Sequence, residues 1–116
     1  MPVQRLQHVA LAVRDLDEAL AFYAHLGFSP LERPDFGFPG AWLQAGSAQI
    51  HLTVEADLAV RTANHVALEV DDLDAVVGAL TSAGLKVGRV PELAGAGRQA
   101  FLQDPTGNLI ELNQPA

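Results

Sequence analysis

The chain of 116 residues has the length of one compact domain, and 49% of its residues are hydrophobic, which is enough for a core. Its net charge of −7, with only seven scattered Lys and Arg residues, argues against nucleic-acid binding, and the absence of cysteine excludes disulfides, thiolate zinc sites and a cysteine nucleophile. With no apolar run of membrane-spanning length and no signal-like segment at the start, we expect a soluble, acidic, cytoplasmic protein.

The first predicted strand belongs to a stretch that occurs twice in the chain. HVALAVRDLDEAL begins at residue 8 and HVALEVDDLDAVV at residue 65, and eight of the 13 paired residues are identical. AWLQ and QIHLT in the first half return as AFLQ and LIELN in the second. Two copies cannot stack into a solenoid, so the pattern favours a duplicated half-domain. We therefore predict one domain made of two modules, 1–58 and 59–116.

A helix is predicted after the strand that opens each module. Asp15 is placed to cap the first helix, with Glu18 completing a capping box, and Gly27 is placed to end it. Asp72 and Gly84 play the same parts in the second helix. The apolar stripes at helical spacing are Leu16, Ala19, Leu20, Tyr23 and Leu26, then Leu73, Val76, Val77 and Leu80.

Three further short strands complete each module. They are predicted at 28–33, 41–46 and 48–54 in the first copy, and at 85–89, 99–103 and 108–113 in the second. Gly46-Ser47 and the segment DPTGN at 104–108 supply the turns before the last strands. Each module is thus βαβββ, in the α+β class, with the helix covering one face of its sheet and the opposite face free.

The free faces carry a recurring set of possible metal ligands. Because side chains alternate along a strand, His8, His51, His65 and Glu111 all point to the side away from the helix, at two pairs of equivalent positions. Three imidazoles and a carboxylate could hold zinc, nickel, cobalt, manganese or iron. If His51 stays out, two histidines and one carboxylate make the facial triad typical of open Fe(II) sites.

These motifs resemble the vicinal oxygen chelate superfamily, which includes glyoxalases, fosfomycin- and bleomycin-resistance proteins and extradiol dioxygenases. The resemblance covers essentially the whole chain through HVALAV, RDLDEALAFYAHLGF, IHL, NHVALEV and DPTGNLIEL. It implies that each module forms half of an open barrel around a divalent metal, with His8, His51, His65 and Glu111 at the ligand positions. It also implies a homodimer, in which a site takes its first-module ligands from one subunit and its second-module ligands from the other.

The sequence departs from several members at positions that decide their chemistry. Glutathione-dependent glyoxalases carry a carboxylate where this chain has His51 and tend to carry an Arg where it has Ala12, which argues against glutathione recognition of that kind. Fosfomycin-modifying relatives place a catalytic Thr where Ala10 stands. Bleomycin-binding relatives lack the metal ligands, so the full ligand set argues against a role limited to binding.

We therefore expect a metal-dependent lyase or isomerase whose small substrate chelates the metal through neighbouring oxygens. The metal would stabilise an oxyanion while Glu111 or a metal-bound hydroxide moves the proton, and His51 is a second catalytic candidate. The alternatives are a non-haem Fe(II) dioxygenase and a drug-binding protein without turnover.

Four other residues are candidates for substrate binding. Phe36 and Phe38 lie in RPDFGFPG, a composition typical of a lid, although two aromatic residues anchoring a connection to the core would look the same. Trp42 either lines the pocket or packs, and Arg98 could meet an anionic group of the substrate.

Overall fold

The computed structural model describes residues 2–92 and 94–116. The chain divides into two compact units, Met1–Ala59 and Val60–Ala116. Each unit contains one helix and one four-stranded mixed sheet in the order βαβββ, so the predicted fold class is confirmed.

The first unit consists of β1 (Val9–Val13), α1 (Leu16–His25), β2 (Ser29–Leu31), β3 (Gly40–Ala45) and β4 (Ala48–Val54). Its sheet has the strand order β1-β4-β3-β2. The parallel pairing of β1 with β4 sets Ala10 opposite His51, and the antiparallel pairing of β3 with β4 sets Trp42 opposite the same residue.

The second unit consists of β5 (His65–Glu69), α2 (Leu73–Ser82), β6 (Gly88–Arg89), β7 (Arg98–Gln103) and β8 (Leu109–Gln114). It repeats the topology of the first unit, with the strand order β5-β8-β7-β6. The parallel pair β5 and β8 sets Ala67 opposite Glu111, and the antiparallel pair β7 and β8 sets Phe101 opposite the same residue.

Both helices begin and end where the sequence predicts. Asp15 Oδ1 accepts a hydrogen bond from Glu18 N at 2.9 Å, and Asp72 Oδ1 accepts from Ala75 N at 3.0 Å. The Glu18 carboxylate accepts from Arg14 Nε at 2.9 Å. No helix of the described residues is long and apolar enough to cross a membrane.

The helix ends explain why two predicted strands start later in the structure. Gly27 and Gly84 adopt φ of 91° and 88°, and each begins a Schellman-type ending. Phe28 N then donates to Tyr23 O, and Leu85 N donates to Leu80 O, both at 3.0 Å. Because these residues close the helices, β2 starts at 29 instead of 28 and β6 at 88 instead of 85.

The core of each unit lies between the helix and one face of its sheet. On β4 the buried side chains are Ile50 and Leu52, and on β8 they include the equivalent Ile110 and Leu112. Their neighbours His51 and Glu111 alternate to the other face, as predicted from the strand period. Apolar burial on one face therefore fixes which side chains reach the other.

The turn before β8 is held by one buried carboxylate. Asp104 Oδ1 accepts from the backbone amides of Thr106, Gly107 and Asn108 at 3.0, 3.0 and 2.9 Å. Its Oδ2 accepts from Asn108 Nδ2 at 2.9 Å. This turn sets the start of β8 and thereby the position of Glu111 two residues further on.

Candidate metal centre

The second unit brings two of the predicted ligands together. His65 Nε2 lies 3.1 Å from Glu111 Oε1, because β5 and β8 are adjacent parallel strands. The side chain of His65 is 36% exposed and that of Glu111 only 10%. Asn113 Nδ2 donates to Glu111 Oε2 at 2.9 Å, which fixes the carboxylate from its other side.

The hydrogen bonds of His65 show that a proton or a metal ion belongs between its Nε2 and the Glu111 carboxylate. His65 Nδ1 lies 3.0 Å from the carbonyl oxygen of Ala63, and since a carbonyl can only accept, Nδ1 carries a proton. In the neutral ring Nε2 then has a lone pair, and it faces a carboxylate oxygen. A proton or a metal ion must sit between such atoms for the contact to be favourable. Consistent with this, the Ala63 carbonyl first, and the Glu111 carboxylate after it, raise the pKa of His65.

The first unit brings the other two predicted ligands together. The rings of His8, next to β1, and His51, on β4, stack with centroids 3.8 Å apart. His51 Nε2 donates to Gln49 Oε1 at 2.6 Å, and His8 Nδ1 donates to Gln7 Oε1. Each neutral ring therefore keeps one nitrogen with a free lone pair. Burial, with the nearby His8 and the charge of Arg33, lowers the pKa of His51 and favours that neutral form.

Aromatic rings continue from His51 across the same face of the first sheet. Trp42 stacks on His51 with centroids 4.3 Å apart and planes inclined by 6°. The ring centroid of Phe36 lies 6.1 Å from that of Trp42, and the ring centroid of Phe38 lies 5.7 Å from that of Phe36. The structure thus brings three of the four predicted substrate-binding residues together beside the His8–His51 pair.

The fourth candidate, Arg98, is not brought to this face. It alternates with Gln99 and Phe101 along β7 and shares the side of Ala100 and Leu102, which are buried under α2. Its guanidinium binds the Asp74 carboxylate through two hydrogen bonds of 2.8 and 3.2 Å. Arg98 lies on the face opposite to that of His65 and Glu111. The structure therefore gives Arg98 a role in holding α2 to the sheet.

Sequence reasoning missed the residues that orient the candidate ligands. Gln7, Gln49 and Asn113 each bind a ligand side chain, and Ala63 does so through its backbone. A metal-binding histidine usually donates its second ring N–H to an oxygen of this kind. The spacing of two residues between Gln49 and His51, and between Glu111 and Asn113, is the signal that could have identified them, since such pairs share one strand face.

The residues present fit a divalent metal in their chemistry. His8 and His51 each have one ring nitrogen bound to an amide oxygen and the other available, whereas the second nitrogen of His65 faces the Glu111 carboxylate, which is held by the Asn113 amide. Within the described part of the chain, no three His, Asp or Glu side chains form a group able to hold an ion. Each unit presents two of the predicted ligands, which is half of the predicted set.

Comparison with known proteins identifies relatives of this chain. The family model described as Glyoxalase/Bleomycin resistance protein/Dioxygenase superfamily matches residues 5–112. Glyoxylase I 4 of Arabidopsis thaliana is 33% identical over 92% of this chain and 68% of its own length. A probable lactoylglutathione lyase of Vibrio parahaemolyticus is 34% identical over 95% of this chain and 90% of its own length.

Solved structures share the fold over nearly the whole chain. A putative glyoxalase family protein of Bacillus anthracis has a TM-score of 0.85 at 27% identity, covering 98% of this chain and 97% of that one. TnmS3, an antibiotic binding protein from Streptomyces sp. CB03234, has a TM-score of 0.77 at 28% identity, covering 100% and 99%. A mutant of the fosfomycin resistance protein FosX from Listeria monocytogenes, complexed with Mn(II) and 1S,2S-dihydroxypropylphosphonic acid, has a TM-score of 0.85 at 20% identity, covering 98% and 94%.

Proposed function

The chain belongs to the Glyoxalase/Bleomycin resistance protein/Dioxygenase superfamily, and on that basis we propose that it is a metal-dependent lyase or isomerase. Its substrate would be a small molecule that binds the metal through neighbouring oxygens. The observation that carries the proposal is the contact of His65 Nε2 with Glu111 Oε1, two atoms that need a proton or a metal ion between them. The relatives named as a glyoxylase and a lactoylglutathione lyase support the same class of reaction.

Four side chains would hold the metal. His8 and His51 come from the first unit, and His65 and Glu111 from the second. We propose that one ion takes the first pair from one chain and the second pair from the partner in a homodimer. This arrangement is supported by the pair of candidate ligands that each unit presents, already oriented by hydrogen bonds, since no third His, Asp or Glu joins either pair among the described residues.

The metal would supply a Lewis acid that polarises the oxygens of the substrate and stabilises the negative charge that develops on them. Glu111 would bind through Oε1, the oxygen facing His65, and exchange the substrate proton at Oε2. The Asn113 amide, which donates to Oε2, holds that oxygen in place, and the low exposure of the Glu111 side chain limits its access to water.

The substrate is proposed to lack glutathione. The glyoxalases that use glutathione carry a carboxylate at the position of His51, which here is an imidazole stacked between two other rings. Ala12 occupies the position at which those enzymes tend to carry an Arg. A neutral imidazole with a lowered pKa is suited to metal ligation and only weakly to proton abstraction.

A binding protein without turnover is the second candidate function. It is favoured by the likeness to the antibiotic binding protein TnmS3 and by the exposed rings of Phe36 and Phe38. A binder of this kind needs no bound metal, whereas the proposed enzyme does.

Metal content is the decisive measurement. We expect purified protein to bind a divalent ion, and His65→Ala to reduce its metal affinity at least about tenfold, since a ligand and its hydrogen-bonded partner are both disturbed. His25→Ala is the matched control, because His25 is an exposed residue at the end of α1, and we expect unchanged affinity. Equal metal content in the two variants would contradict the assignment.

Activity assays then separate the reaction classes. We propose to screen 2-oxoaldehydes, hydroxyacids and catechols with metal-loaded protein while recording both isomerisation and oxygen consumption. Turnover without oxygen uptake supports the lyase or isomerase. Oxygen uptake with catechols would instead show the Fe(II) dioxygenase, and tight binding without turnover or metal would show the binding protein.

A further inference from the structure

The first unit exposes two phenylalanine rings beside the His8–His51 pair. Phe36 and Phe38 are 49% and 51% exposed, and their rings lie 5.7 Å apart with planes inclined by 22°. Together with Trp42, which lies 6.1 Å from Phe36, they form what we call the aromatic shelf. Neighbouring exposed rings of this kind are a common mark of a binding surface.

The loop that carries the shelf is built to hold the rings in place. Arg33 Nη1 donates to the carbonyl of Phe38 at 3.1 Å, and Asp35 Oδ1 accepts from Gly37 N at 2.9 Å. Gly40 ends the loop against β4, and any side chain on Gly40 would clash with the backbone oxygen of Leu52. These contacts fix a short loop with its apolar rings turned outward, which would be unfavourable without something to cover them.

Arg33 adds a positive charge under the shelf. Its guanidinium carbon lies 4.9 Å from the centroid of the Phe36 ring and 5.1 Å from that of Phe38. Of the acidic side chains in the described ranges, none forms an ion pair with Arg33 within 4.0 Å. In a protein with a net charge of −7, an arginine without a carboxylate partner, next to a candidate site, is suited to an anionic ligand.

The shelf begins at the candidate metal ligands. Trp42 stacks directly on His51, which stacks on His8, so one row of rings runs from the ligand pair to Phe36. A molecule whose oxygens bind at the histidines would therefore place its next atoms over Trp42 and Phe36. Flat π-systems gain from offset stacking there, whereas an alkyl chain of the same size gains only from apolar contact.

We infer that the substrate of the proposed enzyme is an aromatic acid, with a carboxylate and a neighbouring oxygen beside its ring. This inference rests on the proposed function, because the oxygens are those that would bind the metal. The ring would lie on the aromatic shelf, and the charge of Arg33, without contacting the carboxylate at the metal, would attract it at longer range. Phe36, Phe38 and Arg33 then determine specificity, while His8 and His51 bind the metal.

Three matched acids test the inference by calorimetric titration of metal-loaded protein. Mandelate carries a flat ring, hexahydromandelate carries a saturated ring of similar size, and lactate carries only a methyl group at the same carbon. We expect mandelate to bind about tenfold more tightly than hexahydromandelate, and lactate to bind most weakly, since aromatic stacking adds to apolar contact. Equal affinity for the flat and the saturated ring would overturn the inference.

Variants of the shelf locate the effect. In the Phe36→Leu/Phe38→Leu double variant the apolar contact remains and the rings are lost, so we expect the preference for mandelate over hexahydromandelate to fall below about threefold. Arg33→Gln should weaken binding of all three acids by about fivefold or more, because it removes the cation. Val90→Ala and Arg14→Gln, in exposed residues outside the shelf, are the controls and should leave all three affinities unchanged.

The result can be separated from failure of the proposed function. If metal binds as proposed and the double variant keeps the parental preference for mandelate, only the inference about the shelf is wrong. If mandelate is preferred through the shelf in protein that binds no metal, the shelf is supported and the enzyme proposal fails. If the double variant changes the molecular mass in solution and leaves the affinities unchanged, the shelf is a contact between chains and the inference is overturned.

Discussion

A pair of glycine substitutions tests the packing that shapes the first unit. Gly40 begins β3 and pairs with Thr53, and a β-carbon built on it would lie 2.3 Å from the backbone oxygen of Leu52. Carbon and oxygen atoms rarely approach closer than about 3.3 Å, so Gly40→Ala must force the two strands apart by about 1 Å. A β-carbon built on Gly78, within α2, would meet no described atom within 4 Å other than those of its chain neighbours and its own helix backbone.

The two substitutions should therefore act in opposite directions. Overpacking against a fixed backbone costs about 1–3 kcal/mol, and loss of freedom in the unfolded chain offsets about 0.5 kcal/mol, so Gly40→Ala should lower the free energy of unfolding by about 2 kcal/mol. Gly78→Ala should raise it by about 0.8 kcal/mol, which is the difference in helix propensity. For 116 residues these changes correspond to Tm shifts of about −8 °C and +3 °C.

The measurement is urea unfolding of both variants and the parent, followed by far-UV circular dichroism. The same added methyl group serves as perturbation and control, so effects of composition cancel. A Gly40→Ala variant that unfolds at the parental urea concentration would show that β3 and β4 do not approach as closely as described, and the reasoning would be wrong. Loss of the close approach would also loosen the loop that carries Phe36 and Phe38.

Three further outcomes are expected. Asp104→Ala should lower the free energy of unfolding by about 3 kcal/mol, because three backbone amides lose a charged acceptor. Asp104→Asn loses mainly the hydrogen bond from Asn108, so it should lower the free energy of unfolding by less than half as much in the same urea titration. Hydrogen bonds from Arg98 and Arg89 lower the pKa of Asp74 from 3.8 to about 2, so the ion pairs of Asp74 stabilise the fold above pH 4. The small Tm difference between the parent and Asp74→Asn should therefore disappear as the pH falls towards 2. Metal at about 100 times its Kd should raise the free energy of unfolding by about 2.7 kcal/mol, and a chelator should abolish the rise; an unchanged Tm would argue against binding to the folded state.

Most of the fold could be predicted because the sequence contains two similar copies of one module. A helix cap, an apolar stripe and a terminating glycine appear at equivalent positions around Asp15 and Asp72, and each copy supports the interpretation of the other. Two predicted strand starts failed where local bonding overrode the pattern, and β2 also ends at Leu31 instead of 33. Phe28 and Leu85 look like strand residues, but their amides close the preceding helices.

The candidate ligands could be placed on one face from the strand period, which depends only on backbone geometry. That His8 lies against His51, and His65 against Glu111, follows from the order of strands in each sheet, with β1 and β5 beside the last strand of their module. The order of strands is a tertiary property, and the sequence alone predicted only the shared face.

The partners of the charged side chains could not be predicted from the sequence. Arg98 is separated from Asp74 by 24 positions, and only the packing of α2 on β7 brings them together. Arg33 reads as an ordinary loop residue until its contacts with Phe36 and Phe38 are seen. Long polar side chains reach in many directions, so alternation along a strand does not determine what they touch.

The unequal distribution of chromophores between the two copies has a practical consequence. The single tryptophan, the single tyrosine and four of the five phenylalanines fall in the first unit, leaving Phe101 alone in the second. Emission from Trp42 and near-ultraviolet absorbance therefore monitor the first copy and are almost blind to its twin, whereas far-ultraviolet signals sample both. Melting curves recorded by the two methods will superimpose only if the halves lose their structure in a single concerted event.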